Sequence, residues 1–369
     1  MSVKKAFSFI LVLVGLSWLF SVNALAEYSD DILQNFDFSP LYESLGDEKD
    51  LIGEVGDFSQ SGALGADKLL AYALSLLEKL FSSLCGELSA ILCVIIAASA
   101  AKKFSAFSSG VASAVSFIGI AVLCKTAFDF ICSDIAASAE FFTVIKAFFA
   151  SAVPIMTGLY SMGGRLSAAA ASGIASSVIL SASQIVCESI ALPGCYLCFA
   201  ISYASAFFYS SKIGNIAKAI SGICSKITAL VMGLVASGTL FSVRLAASSD
   251  SAVLRISKFA ASSFIPIVGG ALSEAASAMK AGLSAVGSAF GFFGIAAVLY
   301  AVIPVTVRLL CRTSLLSFAS FLAGAVDCNE IASLFDGILT GYRLMSAAVA
   351  GVSACFILAC SIFVNTVCA

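Results

Sequence analysis

Long runs of apolar and small residues fill most of this 369-residue chain and constrain its fold more than any other feature. A helix needs about 20 mostly apolar residues to cross the hydrocarbon core of a bilayer. Eight runs approach or exceed that length: 84–101, 107–124, 141–162, 166–187, 189–210, 227–243, 281–307 and 346–368. The sequence therefore predicts an all-α fold, a polytopic transmembrane helical bundle of about eight spans.

The composition of the chain also indicates that lipid surrounds it. Hydrophobic residues make up 60% of the chain and charged residues only 11%, where a soluble domain carries about 25% charged residues. The net charge of -2 and the scattered Lys and Arg give no basic stripe for a nucleic acid, so no nucleic-acid partner is expected. The expected surroundings are a lipid bilayer and other membrane proteins.

The first 26 residues have the organisation of a cleaved signal peptide. Lys4 and Lys5 precede an apolar stretch, and Ala24 and Ala26 supply the small residues that signal peptidase requires. An uncleaved anchor is the alternative. Residues 27–67 then hold eleven of the 22 acidic residues, which predicts an acidic extracytoplasmic arm.

The remaining chain divides by hydropathy. Residues 68–83 predict an amphipathic interfacial helix, and residues 84–243 hold spans one to six. Residues 244–280 form a loop in which the broken FIPIVGG element is predicted to be re-entrant or interfacial, because Pro and Gly interrupt it. Residues 281–369 hold the C-terminal spans, with 313–326 of ambiguous length.

Basic residues predict the orientation. If the segment after residue 26 is outside, the first, third and fifth spans deliver basic residues to the cytoplasm: Lys102, Lys103, Arg165, Lys212, Lys218 and Lys226. The loop at 125–140, with Asp129, Asp134 and Glu140, would then face outward, and the aspartates would lie outside the spans. The side of the C-terminus stays open.

Residue types argue against an enzyme. The chain has no His, which removes the usual nucleophile systems and zinc and haem ligand sets, and no phosphate-binding loop motif occurs. Its 13 Cys lie mostly in apolar runs, and Cys195 and Cys198 are interpreted as packing residues. We therefore expect no catalytic residues, no metal and no cofactor.

Two charged residues and three prolines are also compatible with an alternative function, that of a transporter. Lys146 is interpreted as a snorkelling side chain near a helix end, and Glu188 as a solvated carboxylate at a tight turn between spans. Pro154, Pro193 and Pro304 interrupt three spans, as in transporters and in plain kinked helices. Such a protein would be a stand-alone or ABC-type permease.

Small residues line one face of the seventh span. Gly287 and Gly291 form a GxxxG motif and Gly294 follows on the same face. Such faces let helices approach closely, either within the chain or with a partner, and packing within the chain is the simpler interpretation.

The segment 250–294 resembles the most distinctive part of the stage III sporulation protein AE family of endospore-forming bacteria. The matching residues are Asp250, Arg255, Lys258, Phe264, Pro266, Gly269, Glu274, Gly291 and Gly294. The signal peptide, acidic arm, span count and length are also similar. One departure is that Gly287 and Ser288 stand where family members usually carry a Lys-Asn pair.

The resemblance implies a membrane component of a secretion-like channel that links mother cell and forespore during endospore formation. It implies partners that include a secretion-type ATPase and ring-forming single-span proteins, and a place in the mother-cell membrane around the forespore. Arg255 and Lys258 share a helical face if this part is helical, and we expect that face to dock a partner; a solvated basic face is the alternative.

Overall fold

The structure, a computed structural model, describes the backbone of residues 66–104, 109–207, 211–264 and 269–368. All of them except the connections 163–165 and 326–328 are helical, and no strand occurs among them. The elements are α1 (Ala66–Phe104), α2 (Ser109–Met162), α3 (Leu166–Gln184), a π-helical segment (Ile185–Ala191), α4 (Leu192–Phe207), α5 (Ser211–Phe264), α6 (Gly269–Ala325) and α7 (Asn329–Cys368). Side chains are not described at residues 66–68, 82–83, 101–113, 115–116, 208–214, 251–281 and 368.

Two short connections reverse the chain by the same device. Gly164 has φ 72° and follows α2, while Asp327 has φ 57° and follows α6. In each, the next amide donates to a carbonyl five residues back, from Arg165 to Tyr160 at 3.0 Å and from Cys328 to Ala323 at 2.9 Å. These are Schellman motifs, in which a residue in the left-handed conformation satisfies the last carbonyls of a helix.

The π-helical segment joins α3 to α4 without a turn. Pro193 follows the segment, and a proline has no N–H to donate to the carbonyl four residues earlier. Wider hydrogen bonding over Ile185–Ala191 lets the rod continue through this point. The predicted tight turn at Glu188 is therefore wrong, because Glu188 lies inside a continuous helical rod.

Six helical stretches are long and apolar enough to cross a membrane: Leu69–Ala100, Phe117–Met162, Leu166–Phe207, Asn215–Asp250, Gly282–Ala325 and Asn329–Val367. The all-α prediction is confirmed for the described residues, whereas about eight spans are not. The runs 107–124 and 141–162 both lie on α2, and 166–187 and 189–210 share the rod from α3 to α4. The stretch 313–326 continues α6 to Ala325 instead of forming a separate element.

Continuous helices also change the relation between predicted loops. Residues 125–140 lie inside α2, so Asp134 lies on a continuous helix and not in a loop. The apolar stretch Phe117–Met162 has 46 residues, more than the about 20 that one crossing needs, so the expectation that Asp134 lies outside the spans stays a prediction. Lys102 and Lys103 end α1 near the start of α2, whereas Arg165 follows its other end. The structure therefore gives no support for placing these basic residues on one side of a membrane.

The core is built around α6. In its most apolar stretch 83% of the residues are buried, against 12% for α1 and 17% for α5. Phe290 and Phe293 of α6 are fully buried; Phe290 packs on Phe363 of α7 and Phe293 on Phe148 of α2. The outer faces of α1 and α5 expose Leu70, Phe81, Leu230, Leu234 and Phe241. An enclosed central helix with apolar outer helices is the arrangement expected where lipid surrounds the bundle.

Candidate functional site

A cluster of charged side chains lies inside the bundle where α1, α2, α6 and α7 meet. We call Glu87, Asp134, Arg308, Arg312 and Tyr342 the buried charge cluster. These residues lie on four different long apolar helices, and they come together because the helices pack against one another. Ionisable residues inside apolar helices are costly to insert and usually face the bundle interior and pair with one another.

Asp134 is the centre of this cluster. Its side chain is 1% exposed. The Tyr342 hydroxyl donates a 2.6 Å hydrogen bond to its Oδ2, and Arg312 Nε lies 3.2 Å from the same oxygen. Its Oδ1 receives no hydrogen bond from the described residues and faces Arg308 Nε at 3.8 Å. A buried carboxylate is stable only when such partners offset its desolvation.

Arg312 links two carboxylates on different helices. Its guanidinium contacts Glu87 of α1 as well as Asp134 of α2. It also lies over the ring of Phe130, 4.7 Å from the centroid, an added cation–π contact. The contact with Glu87 therefore attaches α1, which is little buried, to α6 through an ion pair.

Arg308 faces an open cleft of about 360 Å³ between α1, α2 and α6. The walls include Leu76, Leu80, Phe141 and Val305, and the polar residues that line the cleft are Lys79, Glu140 and Arg308. The Arg308 side chain is 37% exposed. Arg308 thus connects the cleft with the buried Asp134.

Lys146 and Glu188 form a second charged group on the outside of the bundle. Lys146 Nζ lies 3.0 Å from Glu188 Oε1, and Gln184 donates a 3.2 Å hydrogen bond to Oε2. The pair joins α2 to the π-helical segment. The sequence analysis interpreted the two residues separately, because 42 positions separate them in the chain.

Asp250 has a structural role that its sequence context did not indicate. Its carboxylate, buried on α5, accepts hydrogen bonds from the amides of Ser167 at 3.2 Å and Ala168 at 2.7 Å. These are orphan donors of the first turn of α3, where a negative charge also matches the helix dipole. Asp250 therefore caps α3 from a neighbouring helix.

The predicted glycine face packs against α7. A Cβ at Gly287 would collide with Val367, one at Gly291 with Val364, and one at Gly294 would lie 2.8 Å from Cys360 Sγ. A second GxxxG motif, Gly337 and Gly341 on α7, was missed by the sequence analysis. It packs on α4, where a Cβ at Gly337 would lie 2.7 Å from that of Ser202 and one at Gly341 2.5 Å from the ring of Phe199.

Other predicted site residues lie where side chains are not described. Arg255, Lys258 and Phe264 fall on the last turns of α5, and Gly269 and Glu274 on the first turns of α6. Pro266, the signal-cleavage residues Ala24 and Ala26, and most of the arm 27–67 lie outside the described residues. The predictions for the re-entrant element and for docking at Arg255 and Lys258 stay predictions.

The buried charge cluster had a sequence signal that was not used. Arg308 and Arg312 are four residues apart, and so share a helical face between two apolar runs. Nothing in the sequence indicated which acids they meet, because Asp134 and Glu87 are more than 170 positions away. Long-range pairing of this kind depends on the order of helices in the bundle.

The side chains described above can position helices and bind a ligand. Cys195 and Cys198 are buried against carbonyls of Gly341 and Ala217, at 3.5 Å and 3.6 Å, as packing residues. Among the described residues no group of three or more Cys, Asp or Glu could hold a metal ion. The ion pairs hold helices in register, and the cleft offers two cations and a carboxylate to a ligand.

These features define an all-helical protein of the membrane type, with six apolar helices long enough to cross a bilayer. The family model of stage III sporulation protein AE matches residues 56–367, nearly the whole chain. The chain therefore belongs to the stage III sporulation protein AE family, as the resemblance of residues 250–294 indicated, and is a stage III sporulation protein. No curated protein and no solved structure matches it.

Proposed function

We propose that this protein is a membrane component of a secretion-like channel complex that links mother cell and forespore during endospore formation. Membership of the stage III sporulation protein AE family is the observation that carries the proposal. The protein performs no chemistry of its own in this role. It resides as a multi-pass protein in the mother-cell membrane around the forespore, with its mature N-terminus outside the cytoplasm.

The packing of α6 favours an assembly component over a self-contained pore. The centre of the described bundle is occupied by the bulky side chains of α6 and α7, including Phe290, Phe293, Phe356 and Phe363. A channel would therefore be formed between this subunit and others. The weakly buried α1 and α5 offer apolar faces for lipid or for neighbouring subunits.

The proposed partners are a secretion-type ATPase and ring-forming single-span proteins. The chain contains no phosphate-binding loop motif, so energy for transport has to come from such a partner or from a gradient. The acidic arm after a cleaved signal peptide and the basic face of Arg255 and Lys258 are the proposed docking regions.

Reporter fusions measure the span count. In an arrangement of about eight spans, fusions at Asp129 and at Arg165 lie on opposite sides, outside and inside. Six long membrane helices put Arg165 and the end of α1 on opposite sides instead. Fusions after Phe104 and Arg165 that report the same side favour the eight-span arrangement, and opposite sides favour six.

Deletion with complementation tests the role. We expect a clean deletion to arrest development of the engulfed forespore, and an intact copy expressed only in the mother cell to restore it. Normal forespore development in the deletion strain contradicts the proposal, as does rescue by a copy expressed only in the forespore.

A permease remains the second candidate, favoured by the Lys146–Glu188 pair at the π-helical segment. Such segments occur frequently at functional sites of helices. Purified protein in liposomes would then take up a substrate, and Glu188→Gln would abolish uptake. If no uptake depends on a substrate, the permease role is contradicted and the channel-component role is favoured.

A further inference from the structure

The cleft between α1, α2 and α6 lies at the end of apolar runs. Glu140 immediately precedes the run Phe141–Met162, and Arg308 follows the run 281–307. The 22 residues of the first run rise about 33 Å along a helix, close to the thickness of a hydrocarbon core, about 30 Å. In the arrangement of about eight spans, in which Phe141–Met162 crosses the bilayer by itself, the cleft therefore lies at the depth of the lipid headgroups.

The walls of the cleft match the two parts of a phospholipid. Leu76, Leu80, Phe141, Val144 and Val305 supply an apolar surface beside which an acyl chain can lie. The polar residues Lys79, Glu140 and Arg308 line the same cleft. A volume of about 360 Å³ suits a headgroup with its glycerol and not a whole lipid.

Arg308 has donors to offer a phosphate. A guanidinium carries five N–H groups, and here its contact within the described residues is the 3.8 Å ionic contact with Asp134. Asp134 is already held more closely by Arg312 and Tyr342. A phosphodiester in the cleft can therefore accept hydrogen bonds from Arg308 while Asp134 keeps its other partners.

The charges select a zwitterionic ligand over an anionic one. Arg308, Arg312 and Lys79 are balanced by Glu87, Asp134 and Glu140, so cleft and cluster together carry no net charge. An anionic headgroup would leave an excess of negative charge, whereas a phosphate with a primary ammonium would not. Glu140, on the exposed side of α2, is positioned to accept from that ammonium.

We propose that this cleft binds the headgroup of an aminophospholipid, with the phosphate at Arg308 and Lys79 and the ammonium at Glu140. Quaternary ammonium headgroups fit less well because they have no N–H to donate to the Glu140 carboxylate. The site does not depend on the channel role, since it requires only that lipid surrounds the protein and that Phe141–Met162 crosses the bilayer as a separate span.

Native mass spectrometry of the purified full-length protein tests the site, with phosphatidylethanolamine, phosphatidylcholine and phosphatidylglycerol of identical acyl chains added in equal amounts. We expect phosphatidylethanolamine to bind about tenfold more tightly than either competitor, a difference of about 1.4 kcal/mol. Equal binding of the three lipids, or preference for phosphatidylglycerol, overturns the proposal.

Variants assign the selectivity to residues. Glu140→Gln removes the preference over phosphatidylcholine while phosphatidylglycerol binding stays or rises, and Arg308→Gln weakens all three lipids. Because Arg308 also contacts Asp134, Ala137→Trp provides a second variant that fills the cleft without changing a residue of the cluster, and it too should weaken the binding of all three lipids. Arg343→Gln, an exposed arginine on α7, is the matched control. An unchanged lipid preference in Glu140→Gln contradicts the assignment.

Discussion

The hydroxyl of Tyr342 on α7 donates a 2.6 Å hydrogen bond to Oδ2 of Asp134 on α2, across 208 positions of sequence. Arg312 on α6 contacts the same carboxylate oxygen, at 3.2 Å. Three helices are thus joined at one buried oxygen, so the packing of α2, α6 and α7 converges on one side chain.

Asp134→Ala is expected to destabilise the protein by about 3–5 kcal/mol, because it removes the buried carboxylate that Arg312 and the Tyr342 hydroxyl share and leaves Arg312 with Glu87 alone. Tyr342→Phe removes only the hydrogen bond and should cost about 1–3 kcal/mol. Thermal unfolding in mild detergent measures both. Asp129→Ala, an exposed acid on the same helix, is the control. Equal melting temperatures for Asp134→Ala and Asp129→Ala would show that the cluster contributes nothing.

Glu87→Gln is expected to loosen α1, because it weakens the ion pair with Arg312 that attaches this lightly buried helix. Hydrogen–deuterium exchange should become faster in peptides of Ala66–Phe104 and remain unchanged in α7. Glu78→Gln, on the exposed side of α1, provides the comparison. The same exchange rates in both variants would argue against an attachment through Arg312.

Gly291→Ala is expected to cost about 1–3 kcal/mol, since its Cβ would collide with Val364 and force α6 and α7 apart. Gly233→Ala on α5 meets open space and should be neutral or stabilise by up to about 1 kcal/mol. The melting temperatures of the two variants, each compared with that of the unsubstituted protein, measure these changes in stability. A stabilised Gly291→Ala protein would contradict the close approach of the two helices.

Asp250→Ala is expected to cost about 0.5–2 kcal/mol, because the amides of Ser167 and Ala168 lose their acceptor. Asp250→Asn should cost less, since one side-chain oxygen remains. Exchange of the first-turn amides of α3 reports the loss directly. Ser249→Ala changes the adjacent exposed residue and should leave these amides protected; equal protection in all three variants would remove the capping role.

Charge reversal at Arg255 is expected to break complex assembly while leaving membrane insertion intact, because the proposed docking face is basic. Co-purification of partners with Arg255→Glu, compared with the amount of protein in the membrane fraction, measures this. Arg244→Glu reverses an exposed charge on the same helix and should assemble normally. Normal assembly of the Arg255 variant would contradict the docking role and favour a solvated basic face.

Apolar periodicity predicted the helices well and their ends poorly. Asp129, Asp134, Glu140 and Glu188 were interpreted as markers of loops, because charged residues between apolar runs usually are. In the structure ion pairing lets some of them stay on continuous helices: Asp134 is paired with Arg312, and Glu188 with Lys146. Local sequence cannot show this, since each partner comes from a distant helix.

Motifs of the site were predictable to different degrees. The face of Gly287, Gly291 and Gly294 was visible as spacing, and so was the overlooked pair Gly337 and Gly341. Asp250 was singled out by family resemblance alone, and its capping of α3 required knowledge of which helix lies beside it. The buried charge cluster needed the packing order of α1, α2, α6 and α7.

Affinity purification from membranes of sporulating cells in mild detergent, with co-purifying proteins identified by mass spectrometry, tests the central claim most directly. The channel-component role predicts recovery of a secretion-type ATPase and of ring-forming single-span proteins with the wild-type protein. Recovery of the protein alone, or with an ABC-type nucleotide-binding subunit, would contradict that role and indicate a transporter.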